Sequence, residues 1–354
     1  MPPQTSPERA LQAILPLITA GQAYEAHQKA RTFGSRYLKA QAYDTAIQVL
    51  FPSARELLKG GHAGSGSDLS VFLIDVYIAK EQPIDAASRD QITQLIALTG
   101  PAGVWRKTII DKAIAWTSEY GDSSLGDSLL HQYVGQLLYK EGDYLHAETH
   151  FLSAGNRDSA RLLAEMMAEW LPADGSPGDF ATHGVIPFLL LQNILAARTF
   201  LGTFLSLLRK SRPSLIPAEA STPITLPSES STSKTEDEIF VTTDGTLNFL
   251  QLAIRACQRG NGETSEQQRD ARNAWVRLQN GYRNKSSILS KPSVQQALMT
   301  LGNAYFAIPM PRQPGNPLQD MMASLFGGGG AGAGAGGGKG RGGPKKLRAA
   351  GGLD

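Results

Sequence analysis

The chain is short of the features that usually announce chemistry. It has one cysteine, Cys257, so no intrachain disulfide can form, and its setting in "LAIRACQ" reads as a small buried thiol on a helix in a reducing compartment. Surplus charge is also scarce: the formal net charge is +2, and five of the 34 basic residues lie after Phe326, with only Asp354 opposing them there. The body therefore holds 29 basic against 31 acidic residues and has no overall field for nucleic acid or an anionic membrane. Long apolar runs are missing too. The longest, "VIPFLLLQNILAARTFLGTFLSLL" (Val185 to Leu208), is interrupted by Pro187, Gln192, Asn193 and Arg198, and it reads as two core helices rather than a membrane span. The opening "MPPQTSPERA" has no basic-then-apolar leader pattern. These absences together predict a cytosolic (cytoplasmic) protein.

What the sequence has is helical periodicity. From Glu8 to Arg209, apolar residues recur at spacings of three and four, with no convincing strand alternation. The spacing predicts helices at Pro7 to Ala20, Ala23 to Ala40, Tyr43 to Lys59, Asp68 to Lys80, Asp85 to Leu98, Pro101 to Tyr120, Ser124 to Glu141, Asp143 to Ser153, Arg157 to Trp170, Asp179 to Leu191 and Asn193 to Lys210. Three more are predicted at Leu247 to Arg259, Glu266 to Tyr282 and Pro292 to Phe306. Short connections make neighbouring helices antiparallel.

The stretch "LYKEGDYLHAETHFLSAGN" (Leu138 to Asn156) carries both a repeat phrase and a metal decoy. On a helix, Tyr144, Ala147 and Phe151 share one face, as in the second half of a tetratricopeptide-like hairpin. Tyr43, Ala46 and Leu50 repeat the phrase 101 residues earlier, close to three periods of about 34. The metal reading fails because a helical zinc protease needs His-Glu-x-x-His, whereas His146-Ala147-Glu148-Thr149-His150 has another order. A zinc deaminase would need a Cys-x-x-Cys pair as well. The Gly-rich "AGAGGGKGR" lacks the first glycine, the Ser or Thr and the preceding strand of a phosphate loop. No catalytic, cofactor or metal site is expected. The fold class predicted is all-α, a right-handed α-solenoid of tetratricopeptide-like hairpins.

The expected organisation is a solenoid over residues 7–210 and a Pro/Ser-rich flexible linker over 211–238. A small β-hairpin turning at Asp244-Gly245 with C-terminal helices then fills 239–310, and a disordered Pro/Gly-rich basic tail fills 311–354. In the second predicted helix, Ala26, Ala30, Phe33 and Tyr37 form the core stripe. Lys29, Arg36 and Lys39 lie away from it, Arg31 lies on its flank, and Tyr24 and His27 border it. On charge pattern alone this is an ordinary solvated face. Leu247, Leu250, Ala253 and Ile254 form a stripe that Phe249 and Leu252 widen, and the excess of apolar residues at this end calls for a capping partner.

"GQAYEAHQKARTFGSRY", "AYDTAIQVLFPSARELL", "TLNFLQLAIRACQRGN", "LGNAYFAI" and "MMASLFGG", in this order and spacing, resemble the fourth Golgi-to-ER traffic protein family. The resemblance covers roughly Glu8 to Gly328 apart from the linker. Members of that family are non-enzymatic adaptors of the guided-entry pathway for tail-anchored membrane proteins. The resemblance implies that the N-terminal helices bind the targeting ATPase, which makes Tyr24, His27, Lys29, Arg31, Arg36 and Lys39 the docking candidates. It implies that the C-terminal part holds a ubiquitin-like-domain protein, through which a tetratricopeptide co-chaperone is recruited indirectly. Ile239, Phe240, Val241, Leu247 and Phe249 are the candidates for that interface. The alternative reading is a general helical-repeat co-chaperone scaffold that clamps acidic peptides.

Overall fold

The computed structural model of the chain describes residues 6–220, 222–226, 237–260 and 265–310. Among them are fourteen α-helices. The first six are α1 (Pro7–Thr19), α2 (Ala23–Lys39), α3 (Tyr43–Lys59), α4 (Ala63–Lys80), α5 (Ala86–Leu98) and α6 (Trp105–Tyr120). Five more follow as α7 (Ser128–Lys140), α8 (Tyr144–Ala154), α9 (Arg157–Trp170), α10 (Pro177–Leu190) and α11 (Ile194–Ser211). The last three are α12 (Gly245–Arg259), α13 (Ser265–Tyr282) and α14 (Pro292–Phe306). All belong to one compact unit, residues 1–309. Most starts follow local chemistry: Ser6, Asp85, Asp127, Asn156, Ser176 and Asp244 each cap a helix by accepting a hydrogen bond from a first-turn N–H.

Most helices pack on the sequence neighbour and on the helix two places along: α1 meets α2 and α3, α2 meets α3 and α4, and α10 meets α11 and α12. That pattern is an all-α solenoid of helical hairpins, as the spacing predicts. Ala46 and Leu50 of one repeat phrase, and Ala147 and Phe151 of the other, are fully buried. Each phrase faces a glycine on the preceding helix. A Cβ on Gly34 would lie 2.9 Å from Leu50, and one on Gly135 would lie 2.9 Å from the Phe151 ring. Gly184 stands against Phe200 in the same way. In all three hairpins the large residue follows the glycine by the same number of positions, so the paired helices cross at the same height.

A ladder of polar pairs links successive hairpins. Lys80 reaches Asp44 (2.7 Å), Arg89 grips Asp127 with two bonds of 2.8 Å, Arg106 pairs with Glu141, and His183 pairs with Glu148 (3.0 Å). Their partners stand 35 to 38 residues apart, which is one repeat.

Two expectations need correction. Helix α4 begins at Ala63, five residues before the predicted Asp68, although "GHAGSGSD" looks like a loop. The small residues serve packing: a Cβ on Gly66 would lie 2.5 Å from Leu58, and the Ser70 hydroxyl donates back to the Gly66 carbonyl at 2.7 Å. The β-hairpin does not turn at Asp244-Gly245. Asp244 caps α12, accepting from Thr246 N (2.8 Å) and Leu247 N (3.1 Å). The small antiparallel sheet instead pairs β1 (Ile224–Leu226) with β2 (Asp237–Ile239), with Ile224 opposite Ile239. An Asp followed by Gly suits a tight turn and a helix start equally well, and the apolar run after it decided for the helix. Within the segment expected to be a linker, residues 213–215 and 218–220 form short 3-10 turns, and Leu215 is buried with its carbonyl accepting from Thr243 N (2.9 Å). The predicted tail, 311–354, lies outside the described residues.

The glycine contacts give a test with a sign. Alanine in a helix interior ordinarily gains roughly 1 kcal/mol over glycine. At Gly135 the new Cβ meets a fully buried ring that has nowhere to move, and overpacking costs about 1–3 kcal/mol. Gly135→Ala is therefore expected to lower the thermal midpoint. Gly202→Ala, where nothing lies within 4 Å, should raise it. Paired thermal melts of the two variants measure the difference.

Candidate docking surfaces

The N-terminal face is carried by α2. Its buried side is made of small residues, Ala23, Ala26, Ala30 and Gly34, together with Tyr37. All six predicted docking residues fall outside that side. At 3.6 residues per turn they form two rows: Tyr24, His27 and Arg31 on the flank towards α4, and Lys29 and Arg36 on the far flank, with Lys39 between them. Tyr24 is 73% exposed, and Lys29, Arg31, Arg36 and Lys39 are exposed as well. Arg31, Thr32, Ser35, Arg36 and Lys39 line a shallow groove along the helix.

The two rows differ in charge. Asp68 on α4 takes hydrogen bonds from Arg31 Nη1 (2.6 Å to Oδ1) and from His27 Nε2 (2.7 Å), while the Arg31 guanidinium sits 5.6 Å from the centre of the Phe72 ring. Partial burial by itself would raise the Asp68 carboxyl, but the bonds from His27 and Arg31 outweigh it and hold the group below its ordinary value. Lys29, Arg36 and Lys39 make no ion pair among the described residues and carry the net positive charge of the face. Nothing in the spacing pointed to Asp68, because it lies 37 residues from Arg31 and only the stacking of hairpins joins them.

The C-terminal candidates separate sharply. Leu247 and Phe249 are fully buried in the core and offer no surface to a partner. Ile239 is largely covered, Phe240 is half-buried, and Val241 is 39% exposed. Ile239 and Phe240 line a cleft of about 230 Å³ between α11, the end of β2 and α12, with Leu201, Leu205, Arg198 and Arg209 across from them. The Arg209 guanidinium lies 4.1 Å from the centre of the Phe240 ring, a cation–π contact. Two side-chain amides of α12 hold this wall in place. Gln251 accepts from Phe240 N–H (3.0 Å) and donates to Phe240 C=O (2.8 Å), and Asn248 does the same for Thr242 (2.8 and 2.7 Å). Each amide acts as a neighbouring strand would. Their spacing of three puts both on one side of α12, and that spacing is the only trace of the arrangement in the sequence.

The histidines of the 138–156 stretch do not converge. His146 is exposed and bonded to Asp143 of its own turn (2.8 Å). His150 points to His131 on α7, with Nδ1 atoms 3.0 Å apart, while His131 Nε2 lies 2.9 Å from the Leu125 carbonyl. A carbonyl only accepts, so His131 carries its proton on Nε2, and His150 donates to the bare Nδ1. Among the described residues no cluster of three or more His, Cys, Asp or Glu is placed to hold a metal, and no helix is long and apolar enough to cross a membrane. The Cys257 thiol is buried, which pushes its pKa up to about 12, so it is a weak nucleophile.

A stacked array of helical hairpins with a cationic face near one end of the helix order and a walled apolar cleft near the other defines a helical-repeat solenoid. Similarity to known proteins narrows this. Residues 40–326 match the family model described as Golgi to ER traffic protein 4, and the chain belongs to that family. The match starts at residue 40, after the cationic face. The chain is 30% identical to Golgi to ER traffic protein 4 of Aspergillus fumigatus, covering 88% of this chain and 87% of that protein. It is also 30% identical to the Schizosaccharomyces pombe protein of the same name, covering 86% and 91%. The crystal structure of C. therm. Get4 superposes with a TM-score of 0.74 at 31% identity, over 92% of this chain and 97% of that one. These relatives are traffic proteins, and none of their names denotes an enzyme.

The histidine pair generates a pH prediction. Burial first, and the neighbouring His131 and His146 second, lower the His150 pKa from 6.5 to about 4, with Lys107 adding to the effect and Asp111 opposing it. Above pH 6.5 both folded and unfolded chains hold the ring neutral, so nothing changes. Between 6.5 and about 4 the unfolded chain binds a proton that the folded chain refuses, so stability falls with pH. The full effect is about 3 kcal/mol. Urea unfolding followed from neutral pH to about pH 4 should show this decline, and His150→Gln should flatten it.

Proposed function

We propose that the chain is a non-enzymatic adaptor of the guided-entry pathway, working in the cytosol. Its N-terminal face docks the ATPase that carries tail-anchored membrane proteins, and its C-terminal cleft holds a ubiquitin-like-domain protein. Through that second partner a tetratricopeptide co-chaperone is brought in indirectly, and substrate is handed over for insertion into the ER. The observation that carries the reading is the separation of two unlike surfaces on one stiff array: uncompensated cations on α2, and an apolar cleft between α11 and α12. Membership of the Golgi to ER traffic protein 4 family supports it.

The two surfaces suit two kinds of contact. Lys29, Arg36 and Lys39 are exposed, so their attraction acts over roughly a Debye length and is screened by salt, which speeds encounter and lets the complex dissociate. The cleft offers apolar area from Ile239, Phe240 and the adjoining Val241, with Glu238 as well as arginines at its edge, and suits a longer-lived contact with an apolar segment. Leu247 and Phe249 act from behind, holding α12 against the core.

Affinity capture from native cytosol with the intact chain and two full-length variants tests the reading. The intact chain should retain a targeting ATPase and a ubiquitin-like-domain protein. Arg36→Glu with Lys39→Glu should lose the ATPase by about tenfold or more and keep the second partner. Phe240→Asp with Val241→Asp should do the reverse. Retention of neither protein by the intact chain at low salt would sink the adaptor reading, and capture of acidic C-terminal peptides in their place would establish the scaffold alternative.

A further inference from the structure

We propose that the aromatic row Tyr139, Tyr144, Trp170 and Phe180, with the Glu169 carboxylate set against it, is a docking strip for an extended, arginine-bearing segment of another protein. The row lies on α7 to α10, helices that carry neither the surface proposed for the ATPase nor the cleft proposed for the ubiquitin-like protein.

The four rings come from four successive helices. Tyr139 stands near the end of α7, Tyr144 opens α8, Trp170 ends α9 and Phe180 lies in the first turn of α10. Neighbouring ring centres are 5.9, 5.6 and 5.8 Å apart, with planes tilted or edge-on to one another. All four rings are only half-buried. Hairpin packing does not require such a row: Tyr43 holds the place of Tyr144 in the earlier repeat phrase, and among the described residues no ring lies against it.

Charge selects the ligand. The Tyr139 hydroxyl donates to Glu169 Oε2 (2.6 Å) and the Tyr144 hydroxyl to Oε1 (2.9 Å). These two bonds hold the carboxyl below its ordinary value, so Glu169 is ionised at neutral pH, and it is exposed with no ion pair among the described residues. A carboxylate beside π-faces attracts a cation twice, through its own charge and through the ring quadrupoles. Arginine suits the strip better than lysine, because its planar guanidinium stacks on a ring while its fork meets the carboxylate. Lys140, exposed beside Tyr139, repels a cation at that end, which places the arginine over Tyr144 and Trp170. On an extended strand alternate side chains share a face about 6.6 Å apart, close to the ring spacing. The Trp170 indole N–H donates to no acceptor among the described residues and can bond a carbonyl of the docked strand.

The test is fluorescence anisotropy of labelled decapeptides with the full-length chain at physiological salt, using alternating Arg-Thr, Lys-Thr and Glu-Thr sequences. The Arg-Thr peptide should bind, the Lys-Thr peptide about fivefold more weakly, and the Glu-Thr peptide not at all. Glu169→Gln, which keeps an acceptor for a tyrosine, should weaken Arg-Thr binding about tenfold. Trp170→Leu should weaken it about fivefold or more. Asp90→Asn, which neutralises an exposed carboxylate on α5, should change nothing. Thermal midpoints of Glu169→Gln and Asp90→Asn should match the unmodified chain, so a folding defect in Trp170→Leu leaves Glu169→Gln to decide. No binding of the Arg-Thr peptide, equal binding of the arginine and lysine peptides, or indifference to Glu169→Gln would overturn the proposal. So would self-association of the unmodified chain in sedimentation that Trp170→Leu abolishes, because the row would then belong to a second copy.

Discussion

The array depends on how closely the two helices of a hairpin approach. Where Gly34, Gly135 and Gly184 face Leu50, Phe151 and Phe200, a large side chain fills the place a Cβ would take. The contact is too tight for any other residue without displacement of a buried side chain, so it sets both the distance and the axial register of the pair. Once that register is set, the next hairpin can add only at one height. The polar pairs from Lys80–Asp44 to His183–Glu148 then fall at one repeat of separation, because packing has already brought their carbon stems together. The exposed ones, Lys80–Asp44 and His183–Glu148, contribute little stability individually. Their role is to disfavour a slipped register, which would leave charges facing apolar neighbours.

This arrangement explains why so neutral a chain can carry a charged face. Several cations of the array, among them Lys80, Arg89, Arg106 and Arg161, are ion-paired within it. On α2 the pairing stops halfway: Arg31 and His27 find Asp68 on the following hairpin, whereas Lys29, Arg36 and Lys39 make no ion pair among the described residues. The charged face needs no excess of basic residues.

At the other end the array solves a different problem. Among the described residues no strand pairs with 240–242, and Gln251 and Asn248 satisfy the backbone of Phe240 and Thr242 with side-chain amides at bonds of 2.7 to 3.0 Å. Asp244 adds to this by capping α12 and accepting from Gly178 N at the start of α10 (2.8 Å). The wall of the cleft is thus fastened to α12 and α12 to α10. That is why Leu247 and Phe249 belong to the core while Phe240 and Val241 face outwards.

The helices were legible because each needs only a periodic apolar stripe and a local cap, and both are short-range features; α3, α9 and α14 run between the residues the spacing predicted. The repeat phrase around Tyr43 and Tyr144 was legible for the same reason. The solenoid class followed from short connections that leave neighbouring helices little choice but to pack. Local sequence could not tell a packing glycine from a turn glycine, so the spacing starts helix α4 only at Asp68, and it could not choose between hairpin and helix at Asp244-Gly245. It also could not show that Asp68 meets Arg31, that His150 meets His131 rather than binding beside His146, or that the stripe holding Leu247 and Phe249 is covered completely by this chain's own helices. Each of those depends on a residue a full hairpin or more away, or on which side of a helix a neighbour covers. The amino-acid sequence by itself determined the helices and their order. Only the stacking of one hairpin on the next decided which charges cancel and which remain free to meet a partner.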